Sequence, residues 1–142
     1  MKSILVVEDD DNDIFLVQRA CQRSGLPHTL HVAKSGLEAV AYLDGNGKYA
    51  DRDVHPLPQV VFLDVNMPQM DGLAVLTWIR SQPRFVDLPV IMLTSTIDAS
   101  DVQRAFSLGV NSYLRKGHDL NEFGQGMRVI LKYWLELNIR AA

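Results

Sequence analysis

A short apolar run that ends in a single aspartate is the feature that most constrains the fold of this chain. The run is Val60–Leu63, and Asp64 follows it directly. Four apolar residues in succession are typical of a buried strand, so Asp64 is predicted to lie at the carboxyl end of that strand. In open α/β sheets this end of the strands forms the crevice in which ligands bind. Pro68 and Gly72 then predict a turn before the next helix.

The rest of the chain alternates between strand-like and helix-like segments. Strands are predicted at Ser3–Glu8, His28–Ala33, Gln59–Leu63, Leu88–Leu93 and Asn111–Leu114. Helices are predicted at Asp11–Ser24, Ser35–Leu43, Asp71–Ser81, Asp98–Leu108 and Asp119–Asn138. The polar segment Asp44–Pro58 is predicted to be a long loop. Because strands and helices alternate, we expect an α/β fold with a parallel sheet covered on both faces and joined by right-handed crossovers.

Composition excludes several classes of protein. The chain has 142 residues, of which 47% are hydrophobic, so it is long enough for one domain with a full core. A net charge of −3 favours neither nucleic acid nor another polyanion as a partner. No apolar segment is long enough for a signal peptide or a membrane span, so no membrane partner is expected. The single cysteine, Cys21, has no intrachain partner, which suits the cytoplasm.

Acidic residues follow the first predicted strand as well as the third. Glu8 and Asp9 come at the end of the first strand, and Asp64 comes at the end of the third. Carboxylates at neighbouring strand ends form a site for a hard divalent cation, and one of them is also a possible nucleophile. Three more aspartates follow, at Asp10, Asp11 and Asp13. We interpret these as the amino-terminal turn of a helix, where the helix dipole favours negative charge.

The polar residues at four strand ends form an ordered set, which consists of Glu8-Asp9, Asp64, Thr94-Ser95 and Lys116. With this set the chain resembles the receiver domain of two-component response regulators over nearly its whole length. The resemblance implies a flavodoxin-like (βα)5 three-layer sandwich with a five-stranded parallel sheet in the order 2-1-3-4-5. It also implies one domain over residues 1–142 that has no output domain and signals by protein contact or by passing the phosphoryl group on.

The resemblance implies a role for each residue of the set. Asp64 would accept a phosphoryl group from a phosphohistidine on a sensor histidine kinase. Glu8, Asp9, Asp64 and the backbone carbonyl of Asn66 would bind Mg²⁺, which prefers oxygen ligands. Lys116 would pair with Asp64 and then with the phosphoryl group.

The resemblance also implies a conformational switch. The Thr94 hydroxyl would hydrogen-bond a phosphoryl oxygen, and Tyr113 would swing into the space that Thr94 leaves. The surface of helix four, strand five and helix five would then report the phosphorylation state.

Two features distinguish this chain from a minimal receiver. Receivers usually carry a proline after the lysine, joined through a cis peptide bond, but Gly117 follows Lys116 here, and glycine rarely adopts that geometry. The long loop Asp44–Pro58 resembles that of the small single-domain regulators that serve phytochrome-like sensor kinases. The resemblance therefore points to a kinase partner of that type.

The last predicted helix is unusually apolar. One stripe is predicted to face the core, namely Leu120, Phe123, Met127, Ile130, Leu131 and Trp134. Further apolar residues lie partly or wholly beyond it, namely Val129, Tyr133, Leu135, Leu137 and Ile139. An exposed apolar face indicates an interface, so a homodimer through helix four, strand five and helix five is predicted. The alternative is a helix that lies deeper in the core.

Two other functions remain open at this stage. A Mg²⁺-dependent phosphohydrolase with an aspartyl nucleophile would resemble the haloacid-dehalogenase-like enzymes, but these carry Asp-x-Asp after the first strand. Here the third strand ends in Asp64-Val65-Asn66. A receiver-like interaction module that is never phosphorylated is the second alternative. The complete set of polar strand-end residues argues against it, and a signalling protein is preferred over an enzyme.

Overall fold

Five parallel strands form one sheet in this computed structural model, which describes residues 1–117 and 119–140. The strands are β1 Ser3–Val7, β2 Thr29–Ala33, β3 Val60–Asp64, β4 Val90–Thr94 and β5 Ser112–Arg115. The helices are α1 Asp11–Arg23, α2 Gly36–Asp44, α3 Gly72–Ser81, α4 Ala99–Ser107 and α5 Leu120–Leu131. Short 3₁₀ turns lie at Gly47–Tyr49 and Pro83–Phe85, and a π-helical segment, Lys132–Leu137, continues α5.

The order of the strands is β2-β1-β3-β4-β5, and every neighbouring pair is parallel. This confirms the predicted fold class and strand order. The sheet separates two hydrophobic clusters because successive side chains of a strand point to opposite faces. In β1, for example, Leu5 and Val7 belong to one cluster, whereas Ile4 and Val6 belong to the other. Helices cover both clusters, which gives the three layers.

Side-chain caps fix where the helices begin. The Ser35 hydroxyl accepts a hydrogen bond from the backbone N–H of Glu38 at 3.0 Å, as a capping residue does. The Glu38 carboxylate accepts in return from the backbone N–H of Lys34, also at 3.0 Å. Aspartates cap the other four helices, at Asp10, Asp71, Asp98 and Asp119.

The segment predicted as a polar loop, residues 44–58, is held by specific contacts. The Arg52 guanidinium donates to the carbonyl oxygens of Tyr42 and Leu43, both at 2.8 Å, and so satisfies the carboxyl end of α2. The rings of Tyr49 and His55 pack edge-on at 5.1 Å between centroids, and both contact Tyr42. This aromatic group anchors the loop to α2.

The last helix differs from the single long α-helix that the sequence predicts. After Leu131 it widens into π-helical turns, and Leu135 is only 2% exposed, so this residue belongs to the core. Leu120, which the predicted stripe placed inward, is 59% exposed. Among the described residues, no helix combines the length and apolarity needed to cross a bilayer.

Candidate functional site

Three carboxylates meet where two neighbouring strands end. Glu8 follows β1, Asp64 is the last residue of β3, and the two strands pair directly. Glu8, Asp9 and Asp64 each offer a carboxylate oxygen, and these oxygens all lie within 4.8 Å of one another. Glu8 and Asp64 are buried, whereas Asp9 is exposed. Hard oxygen donors gathered in this way fit a divalent cation such as Mg²⁺.

Lys116 joins this group from the end of β5. Its ammonium nitrogen lies 2.6 Å from Glu8 Oε1, 2.9 Å from Asp13 Oδ2 and 3.0 Å from Asp64 Oδ1. The lysine is 3% exposed, so these contacts lie away from bulk water. The structure thus brings Lys116 to Asp64, as the sequence predicts.

Asp13 is a member of the group that the sequence interpretation missed. It was assigned to the solvated first turn of α1, but its carboxylate contacts the Lys116 ammonium. The signal in the sequence is its position: α1 begins three residues after Glu8, so the first turn of α1 starts beside the end of β1. An acidic residue on the inner side of that turn is within reach of the strand ends.

Burial governs the ionisation of this group. Desolvation raises the pKa of Glu8 to about 7, although the hydrogen bond from Lys116 opposes the shift. Desolvation likewise raises the pKa of Asp64, and the charge on Lys116 again opposes it. Burial acts to lower the pKa of Lys116, but its hydrogen bonds to Glu8 and Asp13 outweigh burial and raise it. When all are ionised, the four carboxylates of Glu8, Asp9, Asp13 and Asp64 carry more negative charge than the single lysine neutralises.

The two residues predicted to form the switch lie on neighbouring strands, β4 and β5. Thr94 ends β4 and is 1% exposed, and its hydroxyl donates to the carbonyl oxygen of Thr96 rather than to Asp64. Tyr113 lies on β5 opposite Met92, is partly buried and packs against a core cluster. Thr94 therefore ends the strand next to that of Asp64, but its hydroxyl is hydrogen-bonded to Thr96 instead.

The backbone after Asp64 is held tightly by the start of α3. Asn66 lies on this turn and is exposed. The N–H of Gly72 donates to the carbonyl oxygen of Val65 at 2.9 Å, which closes the turn. A Cβ atom on Gly72 would lie 2.2 Å from the carbonyl oxygen of Asp64. Gly72, which the sequence predicts to lie at a turn, is therefore required because a larger residue would clash with the backbone of Asp64.

The backbone after Lys116 departs from the usual receiver pattern. Gly117 has a φ of +69°, in the left-handed region, and the described residues contain no cis peptide bond. Proline is restricted to a φ near −65°, so it does not fit this conformation. Gly117 is thus compatible with the loop that the structure shows, whereas a proline at this position is not.

We expect Glu8→Gln to stabilise the metal-free protein at pH 8 by about 1–2 kcal/mol. Burial raises the pKa of Glu8 in the folded protein to about 7, above its ordinary value of 4.5. Ionisation of Glu8 therefore lowers the stability of the folded protein as pH rises from about 4.5 to about 7, and glutamine removes this loss. Urea unfolding in EDTA across this range measures the effect, with Asp53→Asn as the exposed control. An equal loss of stability at every pH would contradict the account.

Comparison with known proteins agrees with this geometry. The family model described as the response regulator receiver domain matches residues 4–128. The response regulator Rcp1 of a Synechocystis species is 36% identical over 135 residues, which cover 95% of this chain and 90% of that protein. The crystal structure of the phosphorylated cyanobacterial phytochrome response regulator RcpA is 35% identical and superimposes with a TM-score of 0.90 over 99% of both chains.

A further crystal structure, the Mn²⁺-bound form of the response regulator Rcp1, is 35% identical and superimposes with a TM-score of 0.87 over the full length of both chains. The likeness thus extends over the whole chain in both sequence and structure. Together with the acidic group at the ends of β1 and β3, it shows that the chain belongs to the response regulator receiver domain family, as a homologue of the phytochrome response regulators.

Proposed function

We propose that Asp64 is the phosphoacceptor of a receiver domain that spans this chain. A carboxylate oxygen of Asp64 attacks the phosphorus of a phosphohistidine, the P–N bond breaks, and the imidazole nitrogen keeps the electron pair and takes up a proton. The product is an acyl phosphate on Asp64. The observation that carries this proposal is a buried carboxylate at the crevice end of β3 that lies 3.0 Å from a buried lysine and beside two further carboxylates.

The residues around Asp64 fit Mg²⁺. Glu8, Asp9 and Asp64 would hold the ion through carboxylate oxygens, together with the backbone carbonyl of Asn66. When bound, Mg²⁺ neutralises negative charge on the phosphoryl oxygens. The number of carboxylates supports this assignment, since a divalent cation stabilises the ionised form of Glu8, which burial and the nearby charge of Asp64 disfavour. The relative Rcp1 has been crystallised in a Mn²⁺-bound form.

The protein's own side chains complete the reaction and the switch. Lys116 places its ammonium against a phosphoryl oxygen once Asp64 is modified, because it already lies beside Asp64. The Thr94 hydroxyl leaves the carbonyl of Thr96 and donates to the phosphoryl group. Tyr113 then moves into the space that Thr94 vacates, which changes the surface formed by α4, β5 and α5.

The proposed phosphoryl donor is a sensor histidine kinase of the phytochrome type, and the cytoplasm is the proposed location of the chain. RcpA, which the chain resembles along its length, is named as a cyanobacterial phytochrome response regulator. The chain acts as a signalling protein with phosphotransfer to itself, rather than as an enzyme that turns over small substrates. Neither nucleic acid nor membrane is proposed as a partner.

Phosphotransfer from a kinase tests this proposal. An autophosphorylated phytochrome-type kinase labelled with ³²P is mixed with the chain in Mg²⁺, and both proteins are separated by electrophoresis. We expect the label to move to the wild-type chain but not to Asp64→Asn, and we expect EDTA to stop the transfer. Label that stays on the kinase in all samples would argue against this type of partner.

We also propose a homodimer, with the face of α4, β5 and α5 as the predicted interface. Phe106 on α4 is an apolar residue that is 51% exposed, which supports this face. Val129 on α5 is also apolar and is 69% exposed, but it lies on another side of the helix. Val129 lines a groove with Leu26, so it borders α1. Light scattering should give twice the 16.0 kDa of one chain. If Phe106→Asp gives monomers and Val129→Asp does not, the predicted face is supported; the reverse places the interface beside α1.

A further inference from the structure

Before phosphorylation, the Lys116 ammonium donates hydrogen bonds to Glu8 and Asp13 and forms an ion pair with Asp64. A lysine ammonium has three N–H donors. Three carboxylate oxygens surround the Lys116 ammonium, at 2.6 Å from Glu8, 2.9 Å from Asp13 and 3.0 Å from Asp64. When Asp64 is modified, its own contact with Lys116 can pass to the phosphoryl group. A second contact between that group and Lys116 forms only if Glu8 or Asp13 gives up its own.

The three carboxylates differ in how readily they return to water. The side chains of Glu8 and Asp64 are 3% and 9% exposed, whereas that of Asp13 is 33% exposed. A carboxylate that stays buried without its cation is costly, but one that is rehydrated loses little. Glu8 Oε2 also accepts from the backbone N–H groups of Asp9 and Asp10, which fixes that side chain. Asp13 is thus the partner that Lys116 exchanges at least cost.

We propose that Asp13 is a positioning residue that holds Lys116 in the unphosphorylated site and competes with the phosphoryl group for its ammonium. This inference rests on the proposed function of Asp64 as phosphoacceptor. Because Asp13 lies in the first turn of α1, the contact of this turn with Lys116 affects the fraction of the protein that is phosphorylated. Asp13 restrains the lysine at rest and returns to solvent when Asp64 is modified.

The test uses Asp13→Asn, which keeps the shape of the side chain but removes its charge. With acetyl phosphate as the donor and Mg²⁺ present, the phosphorylated fraction is measured by intact mass across a range of donor concentrations. We expect half-modification of Asp13→Asn at a donor concentration about two- to fivefold lower than for the wild type, the range typical of a partly exposed ion pair. Asp11→Asn is the matched control, because Asp11 lies in the same turn but pairs with Lys34 instead.

A second measurement follows Lys116 itself. In the unmodified protein, the ammonium protons of Lys116 should exchange slowly with water, because the group is buried and has three carboxylate partners. This exchange is followed through the ¹⁵N signal of the ammonium nitrogen. Loss of the Asp13 partner should speed this exchange in Asp13→Asn and leave it unchanged in Asp11→Asn. A purely structural role for Asp13 would not free an N–H of Lys116.

The outcomes separate this inference from the function on which it rests. A mass gain in the wild type, with a shifted donor curve and faster exchange only in Asp13→Asn, supports the inference. A mass gain in the wild type with an unchanged or weaker response in Asp13→Asn overturns the inference alone. Absence of any mass gain in the wild type overturns both, because the proposed phosphoacceptor has then failed.

Discussion

Lys116→Met should lower the free energy of unfolding of the metal-free protein by about 3 kcal/mol at pH 8. The lysine is 3% exposed and contacts Glu8 and Asp64, which are themselves buried. Methionine fills much of the same volume but leaves these two carboxylates without a cation. Because an uncompensated buried charge is costly, we expect this substitution to have one of the largest effects in the chain.

The loss of stability in Lys116→Met should depend on pH. Burial already raises the pKa of Glu8 and of Asp64, and loss of the lysine charge, which opposes both shifts, raises them further. As pH falls, Glu8 and Asp64 become protonated and no longer carry unpaired buried charge. The loss of stability in the variant is therefore greatest above about pH 7 and smaller at pH 5. Urea unfolding at both pH values in EDTA measures this. Lys34→Met, at an exposed ion pair, is the control. A loss that is equal at both pH values would mean that packing, rather than charge, dominates.

Gly72→Ala should be destabilising to a similar degree, by about 3 kcal/mol. The added Cβ would lie 2.2 Å from the carbonyl oxygen of Asp64 and 2.9 Å from the Cα of Val65. Both contacts are with backbone, so no side-chain rotation relieves them. Either α3 or the end of β3 has to shift, and a shift of β3 displaces the phosphoacceptor.

A glycine in open space provides the control for this substitution. Gly124 lies within α5, and a Cβ there would meet no atom within 4 Å among the described residues. Alanine favours helix over glycine by about 1 kcal/mol, so Gly124→Ala should stabilise the protein slightly. Thermal unfolding of both variants gives the comparison. If Gly72→Ala were as stable as the wild type, α3 would not pack against the backbone of Asp64 as closely as the structure shows.

The sequence predicts the sheet and its polar edge because both depend on local pattern. An apolar run such as Val60–Leu63 has few alternatives to a buried strand, and the residue after it necessarily lies at the strand's end. Parallel strands bring such ends together, which is why Glu8, Asp64 and Lys116 meet. The order of the strands came from the resemblance to receivers, since periodicity alone does not determine which strands are neighbours.

The features that the sequence did not reveal depend on contacts between distant segments. Asp13 looks like any acidic residue in a first helical turn until the end of β5 brings Lys116 to it. The loop at residues 44–58 is polar in composition, yet Arg52 and its aromatic residues anchor it to α2. The widening of α5 that buries Leu135 likewise follows from packing on the sheet rather than from helical periodicity.

Measurement of intact mass shows directly whether Asp64 accepts the phosphoryl group. The wild type and Asp64→Asn are incubated with acetyl phosphate and Mg²⁺, and the mass of each chain is recorded. The account predicts a gain of about 80 Da, one phosphoryl group, in the wild type and none in Asp64→Asn. A gain in both proteins would place the acceptor at another residue, and no gain in the wild type would mean that Asp64 does not accept the group; either result contradicts the proposal.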